Sequence, residues 1–222
     1  MKQQTKLLKT EEGLALVSDE LKLIGDYSSL LPRVSNNRVQ GEMLVKAVRM
    51  KGQSDLFVLD GTAGLGEDSF LLAAAGNRVL LCEYNDVIYS LLKDTHHRAL
   101  LDERLTEIAK RMELYHGDSM SLMLDWAKGN CPLGNERKTP DVILLDPMFP
   151  AKTKHSLTNK KLQLFQSLES PCRTGEELFE AAMALKPKKI VVKRPLKGEC
   201  LASRKPGYSI SGKTVRFDCF VF

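Results

Sequence analysis

Long hydrophobic runs are missing from this chain: no stretch approaches the roughly 18 apolar residues that a membrane-spanning helix needs. The N-terminus, Met1-Lys-Gln-Gln-Thr-Lys-Leu-Leu-Lys9, is basic but has no apolar core, so no secretory signal is expected. Cysteines are few: residues 82, 131, 172, 200 and 219, an odd number without a C-x-x-C pair. That spacing argues against a disulfide framework or zinc ribbon and for the reducing cytoplasm. The four histidines stand at no metal-ligand spacing with them, so no metal is expected. Repeats and low-complexity tracts are absent as well.

What is present is the balance of a globular protein: 222 residues, 43% apolar and 27% charged, enough apolar content to bury a core. Lys+Arg is 33 and Asp+Glu is 28, so the formal charge is 33 − 28 = +5. A modest positive balance suits a polyanionic partner without establishing one. Residues 1–40 read as a small appendage, a hairpin of Leu14–Val17 with Leu21–Ile24 followed by an ordered loop. Residues 41–222 read as one domain.

From Gly41 onward helical and strand patterns alternate. Strands are expected at Leu56–Asp60, Val79–Cys82, Met112–Tyr115, Val142–Leu145 and Ile190–Val192. Helices are expected after Gly41 and at Asp68–Ala75, after Asn85, at Asp102–Lys110, Ser119–Lys128, 157–168 and 175–185. Tyr208–Ile210 and Val215–Phe222 read as a closing hairpin. Continuously apolar strands alternating with helices predict an α/β fold: a doubly wound, mostly parallel sheet with an antiparallel C-terminal edge. Ligands then bind beyond the carboxyl ends of the strands, where strand order reverses.

The residues after each strand carry the chemistry. Asp60-Gly-Thr-Ala-Gly-Leu-Gly66-Glu67-Asp68 is a glycine-rich turn into a helix, with Thr62, Gly64 and Gly66 in the loop. Ser69 falls where a dinucleotide fingerprint would want its third glycine or alanine. The acidic loop repels a pyrophosphate and suits a cationic ligand. S-adenosylmethionine, which carries an ammonium and a sulfonium and no phosphate, fits that charge; a plain strand-to-helix turn is the structural alternative. Glu83 lies 83 − 60 = 23 residues beyond Asp60, near the spacing at which an acid grips ribose hydroxyls. His116-Gly-Asp118-Ser119 offers an acceptor for an adenine amine, or simply a helix cap.

Asp146-Pro147-Met-Phe149-Pro150 follows the fourth strand and should face the glycine loop. Asp146 and the Pro147 carbonyl can accept from an exocyclic NH2, and Phe149 offers a stacking face. Such hydrogen bonds turn the nitrogen lone pair toward a methyl donor. Lys152, Lys154, Lys160 and Lys161, with Lys193 and Arg194 after the fifth strand, suit phosphate contacts. A solvated helix face would explain the lysine cluster equally well.

Asp60–Asp68, Leu145–Pro150, Lys160-Lys161 with Phe165–Leu168, Val191-Val-Lys-Arg-Pro195 and Arg216-Phe-Asp218 together resemble the ribosomal RNA small-subunit methyltransferase J family. The resemblance runs from about Gly41 to Phe220. It implies a class I methyltransferase fold that uses S-adenosylmethionine to methylate N2 of a guanosine in 16S rRNA. It also implies cofactor contacts at Glu67, Asp68, Glu83, Tyr84, Asp118, Ser119 and Asp146. Where the family usually has Arg this chain has Glu67, and where it has Glu-Arg this chain has Glu83-Tyr84. Alternatives are methylation of adenine N6, a silent RNA-binding protein of the same fold, and a nicotinamide dehydrogenase. The acidic loop speaks against the last.

Overall fold

The computed structural model describes residues 5–18, 21–134, 138–147 and 175–222. Two sheets are present among them. The smaller holds β1 (Lys6–Thr10), β2 (Gly13–Ser18) and β3 (Leu21–Ile24) in antiparallel order β1-β2-β3. The larger has seven strands in the order β6-β5-β4-β7-β8-β10-β9. Here β4 is Phe57–Asp60, β5 Arg78–Glu83, β6 Met112–His116 and β7 Val142–Leu145. The remaining strands are β8 (Lys189–Pro195), β9 (Tyr208–Ser211) and β10 (Val215–Val221). Strands β4 to β8 pair in parallel, while β10 runs antiparallel to both β8 and β9.

Successive residues of a strand point to opposite faces, and this sorts the core into two layers. Val58, Val79, Leu81, Val142 and Leu144 face one layer, with Phe70, Leu71 and Leu92. Phe57, Leu59, Leu80, Ile143 and Leu145 face the other, with Leu122, Trp126 and Phe179. Helices supply both: α2 (Met43–Val48), α3 (Glu67–Ala74) and α4 (Asp86–Leu101) for the first, α6 (Ser119–Ala127) and α7 (Gly175–Ala184) for the second. The expected doubly wound sheet with an antiparallel edge is therefore present.

Three local expectations differ from the structure. The N-terminal hairpin has a third strand, β1, whose mostly exposed Lys-Leu-Leu-Lys-Thr run has no alternation to reveal it. The ordered loop expected over residues 25–40 carries regular turns. These residues form 3-10 turns at Ser28–Leu30 and Ser35–Gly41 around a short helix α1 (Leu31–Val34). The helix expected over Asp102–Lys110 shrinks to α5 (Thr106–Ala109), because Asp102 is extended and its carboxylate accepts from the Arg104 N–H. The helix expected at 157–168 lies outside the described residues.

The N-terminal stretch is also packed into the main domain. Tyr27 is buried, stacks on Phe70 with ring centroids 4.7 Å apart, and donates to the Leu65 carbonyl at 3.0 Å. Leu16 and Leu23 pack with Leu65 and Leu91, and Asp94 of α4 accepts from the Leu14 N–H at 3.0 Å.

Candidate active site

Strand order reverses between β4 and β7, so a crevice opens at their carboxyl ends. The glycine loop sits in it, fixed on three sides. Gly61 N–H donates to Leu144 of β7, Ala63 N–H to Cys82 of β5, and Gly66 N–H closes the turn onto Ala63. Gly64 and Gly66 have φ of +55° and +76°, which favours glycine at both. Their surroundings differ. A Cβ on Gly64 would meet nothing within 4 Å, so backbone borders open space there. A Cβ on Gly66 would run into the Tyr27 hydroxyl and come within 2.9 Å of Leu81 and Leu92. Gly64 can therefore lie against a ligand, whereas a side chain at Gly66 would collide with the packing at the start of α3.

Asp60 ends β4 and is 2% exposed. Its carboxylate accepts from the Ser69 hydroxyl at 2.6 Å and the Thr62 N–H at 3.1 Å. It thus shapes the loop from beneath. Thr62 turns its hydroxyl to the Asp146 N–H at 2.7 Å, latching the loop to the end of β7. Burial raises the Asp60 pKa from 3.8 to about 7, against the opposing Ser69 and Thr62 hydrogen bonds.

A carboxyl whose pKa is raised by folding stabilises the protein at low pH, and the contribution is lost as pH rises through the folded value. Between pH 5 and 8 the wild type should lose about 2–3 kcal/mol of stability through this group, at 1.36 kcal/mol per unit. Asp60→Asn should remove that component. Urea unfolding of both proteins across this range checks it, and parallel pH slopes would contradict it.

Glu83 ends β5, buried at 5% exposure. Its two oxygens accept from the Gly64 N–H at 3.0 Å and the Asn85 N–H at 2.9 Å. Burial raises its pKa, and these backbone donors and that of Tyr84 pull it back. Two carboxylate oxygens retain further lone pairs, so the same group can clamp the loop and accept from a diol. Tyr84 beside it is exposed.

Asp118 caps α6, accepting from Met120 and Ser121 N–H groups, so the capping reading of this segment holds. It is exposed, with Ser119 buried after it. Glu67 and Asp68 form the first turn of α3.

Asp146 follows β7, with Pro147 buried after it. Lys193 of β8 reaches it: the Lys193 Nζ lies 3.0 Å from Asp146 Oδ2 and 2.6 Å from Asp68 Oδ2. The Lys193 charge, expected at phosphates, is engaged here by these two carboxylates. Arg194, also expected at phosphates, is less accessible. It is 6% exposed and donates to the Glu199 carbonyl. Register could have shown this, since β7 and β8 pair Leu145 with Val192 and place the next residues side by side. Phe149, Lys152, Lys154, Lys160 and Lys161 lie outside the described residues.

The crevice thus offers open backbone at Gly64, a paired-oxygen acceptor at Glu83 and carboxylates at Asp68 and Asp146. That set of acceptors fits a ligand with ribose hydroxyls and cationic centres, and opposes a pyrophosphate.

Comparison with known proteins decides the family. The family described as "Putative SAM-dependent methyltransferase" matches residues 2–222. The chain belongs to it. The match includes the N-terminal sheet, in keeping with its packing against α4. A "Ribosomal RNA small subunit methyltransferase J" of Pseudoalteromonas atlantica is 39% identical over 97% of this chain and 84% of its own. One of Thioalkalivibrio sulfidiphilus is 40% identical over 82% of this chain and 69% of its own. These identities also place the chain in the methyltransferase J family.

Among solved structures, a SAM-dependent methyltransferase of Neisseria gonorrhoeae superposes with a TM-score of 0.70 at 30% identity. That match covers 100% of this chain and 84% of the other. An rRNA methyltransferase of Streptomyces viridochromogenes shares the fold, with a TM-score of 0.52 at 15% identity over 83% of this chain and 84% of that one. S-adenosylmethionine is accordingly the methyltransferase's cofactor. Among the described residues no helix is long and apolar enough to cross a membrane, and no group of three or more His, Cys, Asp or Glu is placed to hold a metal.

Proposed function

We propose that this methyltransferase modifies the exocyclic N2 of a guanosine in 16S rRNA of the small ribosomal subunit, in the cytoplasm. The observation that carries the reading is Asp146. A carboxylate followed by a buried proline stands at the end of β7, latched by its own N–H to Thr62 of the cofactor loop. An acceptor so placed can take the N–H of a nucleobase amine while the lone pair turns toward the cofactor. The relatives' shared name supplies the substrate class. Bound in the crevice, S-adenosylmethionine supplies an electrophilic methyl on a sulfonium.

The chain's own part is orientation. Glu83 and the Gly64 backbone hold one end of the cofactor, with Glu67, Asp68, Tyr84, Asp118 and Ser119 around it. Asp146 and the Pro147 carbonyl hold the amine, and Phe149 stacks on the base. A strong general base is unnecessary, because the amine becomes acidic only after it is alkylated. Lys152, Lys154, Lys160 and Lys161 contact phosphates in this reading.

Methyl transfer from labelled S-adenosylmethionine to small-subunit rRNA tests it, using naked RNA and assembled subunits as separate substrates. Digestion should release labelled N2-methylguanosine. Labelled N6-methyladenosine would move the assignment to adenine, and no transfer to either substrate would refute it.

A further inference from the structure

Strand β8 is buried along most of its length, yet carries Lys193 in the middle of an apolar and basic run. The strand is held firmly. Leu145 pairs with Val192 on one side, and Phe217 pairs with Lys193 on the other. On β10, Arg216 grips Asp218 at 2.9 Å and donates to the Leu196 carbonyl at 2.8 Å, fixing the end of β8. The Lys193 side chain is 26% exposed. Its ammonium has three donors, and two are engaged by Asp68 at 2.6 Å and Asp146 at 3.0 Å.

Those two carboxylates come from different elements, the first turn of α3 and the end of β7, and would repel each other unbridged. The charged groups bearing on Asp146 are Asp60 from β4, Asp68 from α3, and Lys193 and Arg194 from β8.

We infer that Lys193 is a positioning residue for methyl transfer. Its ammonium, clamped between Asp68 and Asp146, keeps Asp146 an oriented carboxylate able to accept the target amine. The inference rests on the reading of Asp146 as that acceptor. Burial raises the Asp146 pKa, and the Lys193 charge opposes the rise. Burial also works to lower the Lys193 pKa, but Asp146 and Asp68 outweigh it and the ammonium is held protonated. Without the bridge, Asp146 would lose the nearest charge that opposes the effect of its burial, and its titration would move up. A protonated Asp146 offers a donor where an acceptor is needed.

The test compares wild type with Lys193→Met, Lys193→Arg and Asp146→Asn. Carboxyl carbon NMR of the cofactor-free protein follows the Asp146 titration, assigned by its loss in Asp146→Asn. Single-turnover methyl transfer to small-subunit rRNA is measured across the same pH range. Lys193→Met should move the Asp146 titration up by about 1–3 pH units, the range for one close opposite charge. The acid limb of the rate should move with it. Lys193→Arg, which keeps the charge, should leave both near wild type. Lys193→Gln replaces Lys193→Met if the latter fails to fold.

An unmoved Asp146 titration in the neutral variant would overturn the inference. So would an arginine variant shifted as far as the neutral one. An unmoved titration with a flattened salt dependence of RNA binding would return Lys193 to phosphate contact. Full turnover in Asp146→Asn would instead defeat the amine-acceptor reading itself, whatever the Lys193 variants showed.

Discussion

Asp146→Asn should slow single-turnover methyl transfer by about 10²–10³-fold at saturating cofactor, the effect of removing one oriented polar group from a reacting centre. The carboxylate is most valuable as the amine nitrogen becomes tetrahedral and its N–H groups more acidic. Its contribution is therefore larger in the transition state than in the ground state. Asparagine keeps the shape and the backbone N–H bond to Thr62, so the glycine loop should stay latched. What it loses is the charge facing Lys193, 3.0 Å away. Its amide must then present either a weaker acceptor or a donor to the incoming amine. Rates at saturating cofactor and RNA separate this from any loss of cofactor affinity. Turnover near that of the wild type would sink the amine-orienting mechanism while leaving the methyltransferase assignment untouched.

Glu83→Ala should weaken S-adenosylmethionine and S-adenosylhomocysteine binding by about 5- to 150-fold, corresponding to about 1–3 kcal/mol for a lost charged hydrogen-bond set. Two effects act together. The variant removes the acceptor for the ribose hydroxyls, and it also releases Gly64, whose N–H the Glu83 carboxylate holds at 3.0 Å. Glu83→Gln should recover only part of the loss. Its amide can accept from one of Gly64 and Asn85, but turns a donor toward the other. Calorimetry with both ligands, and with NAD as the control, measures this. Unchanged affinity in the alanine variant, or NAD binding by the wild type, would contradict the cofactor assignment.

The fold was legible because buried parallel strands declare themselves. Phe57–Leu59, Val142–Leu145 and Ile190–Val192 are apolar without alternation. The crevice residues followed from that pattern alone, since Asp60, Glu83 and Asp146 are the first acids at the ends of their strands. Less visible was how those acids divide the work. Asp60 and Gly66 look like ligand contacts in the loop, but one is hydrogen-bonded beneath it and the other is filled by Tyr27. Tyr27 lies 66 − 27 = 39 residues away from Gly66, and no local pattern reports such a contact. Lys193 and Arg194 read as two cations on a rim for the same reason. The Lys193 charge is countered by Asp68 and Asp146, remote in sequence, and only register brings it beside Asp146, while Arg194 is enclosed against the Glu199 carbonyl. Strand β1 was missed because an exposed edge needs no apolar alternation to pair.

The most direct test of the account is mass mapping of modified nucleosides in 16S rRNA from cells lacking this gene, complemented with the wild type or with Asp146→Asn. The account predicts that one N2-methylguanosine disappears in the deletion, returns with the wild type and stays absent or strongly reduced with the variant. An unchanged N2-methylguanosine content in the deletion, or restoration by Asp146→Asn as complete as by the wild type, would contradict it.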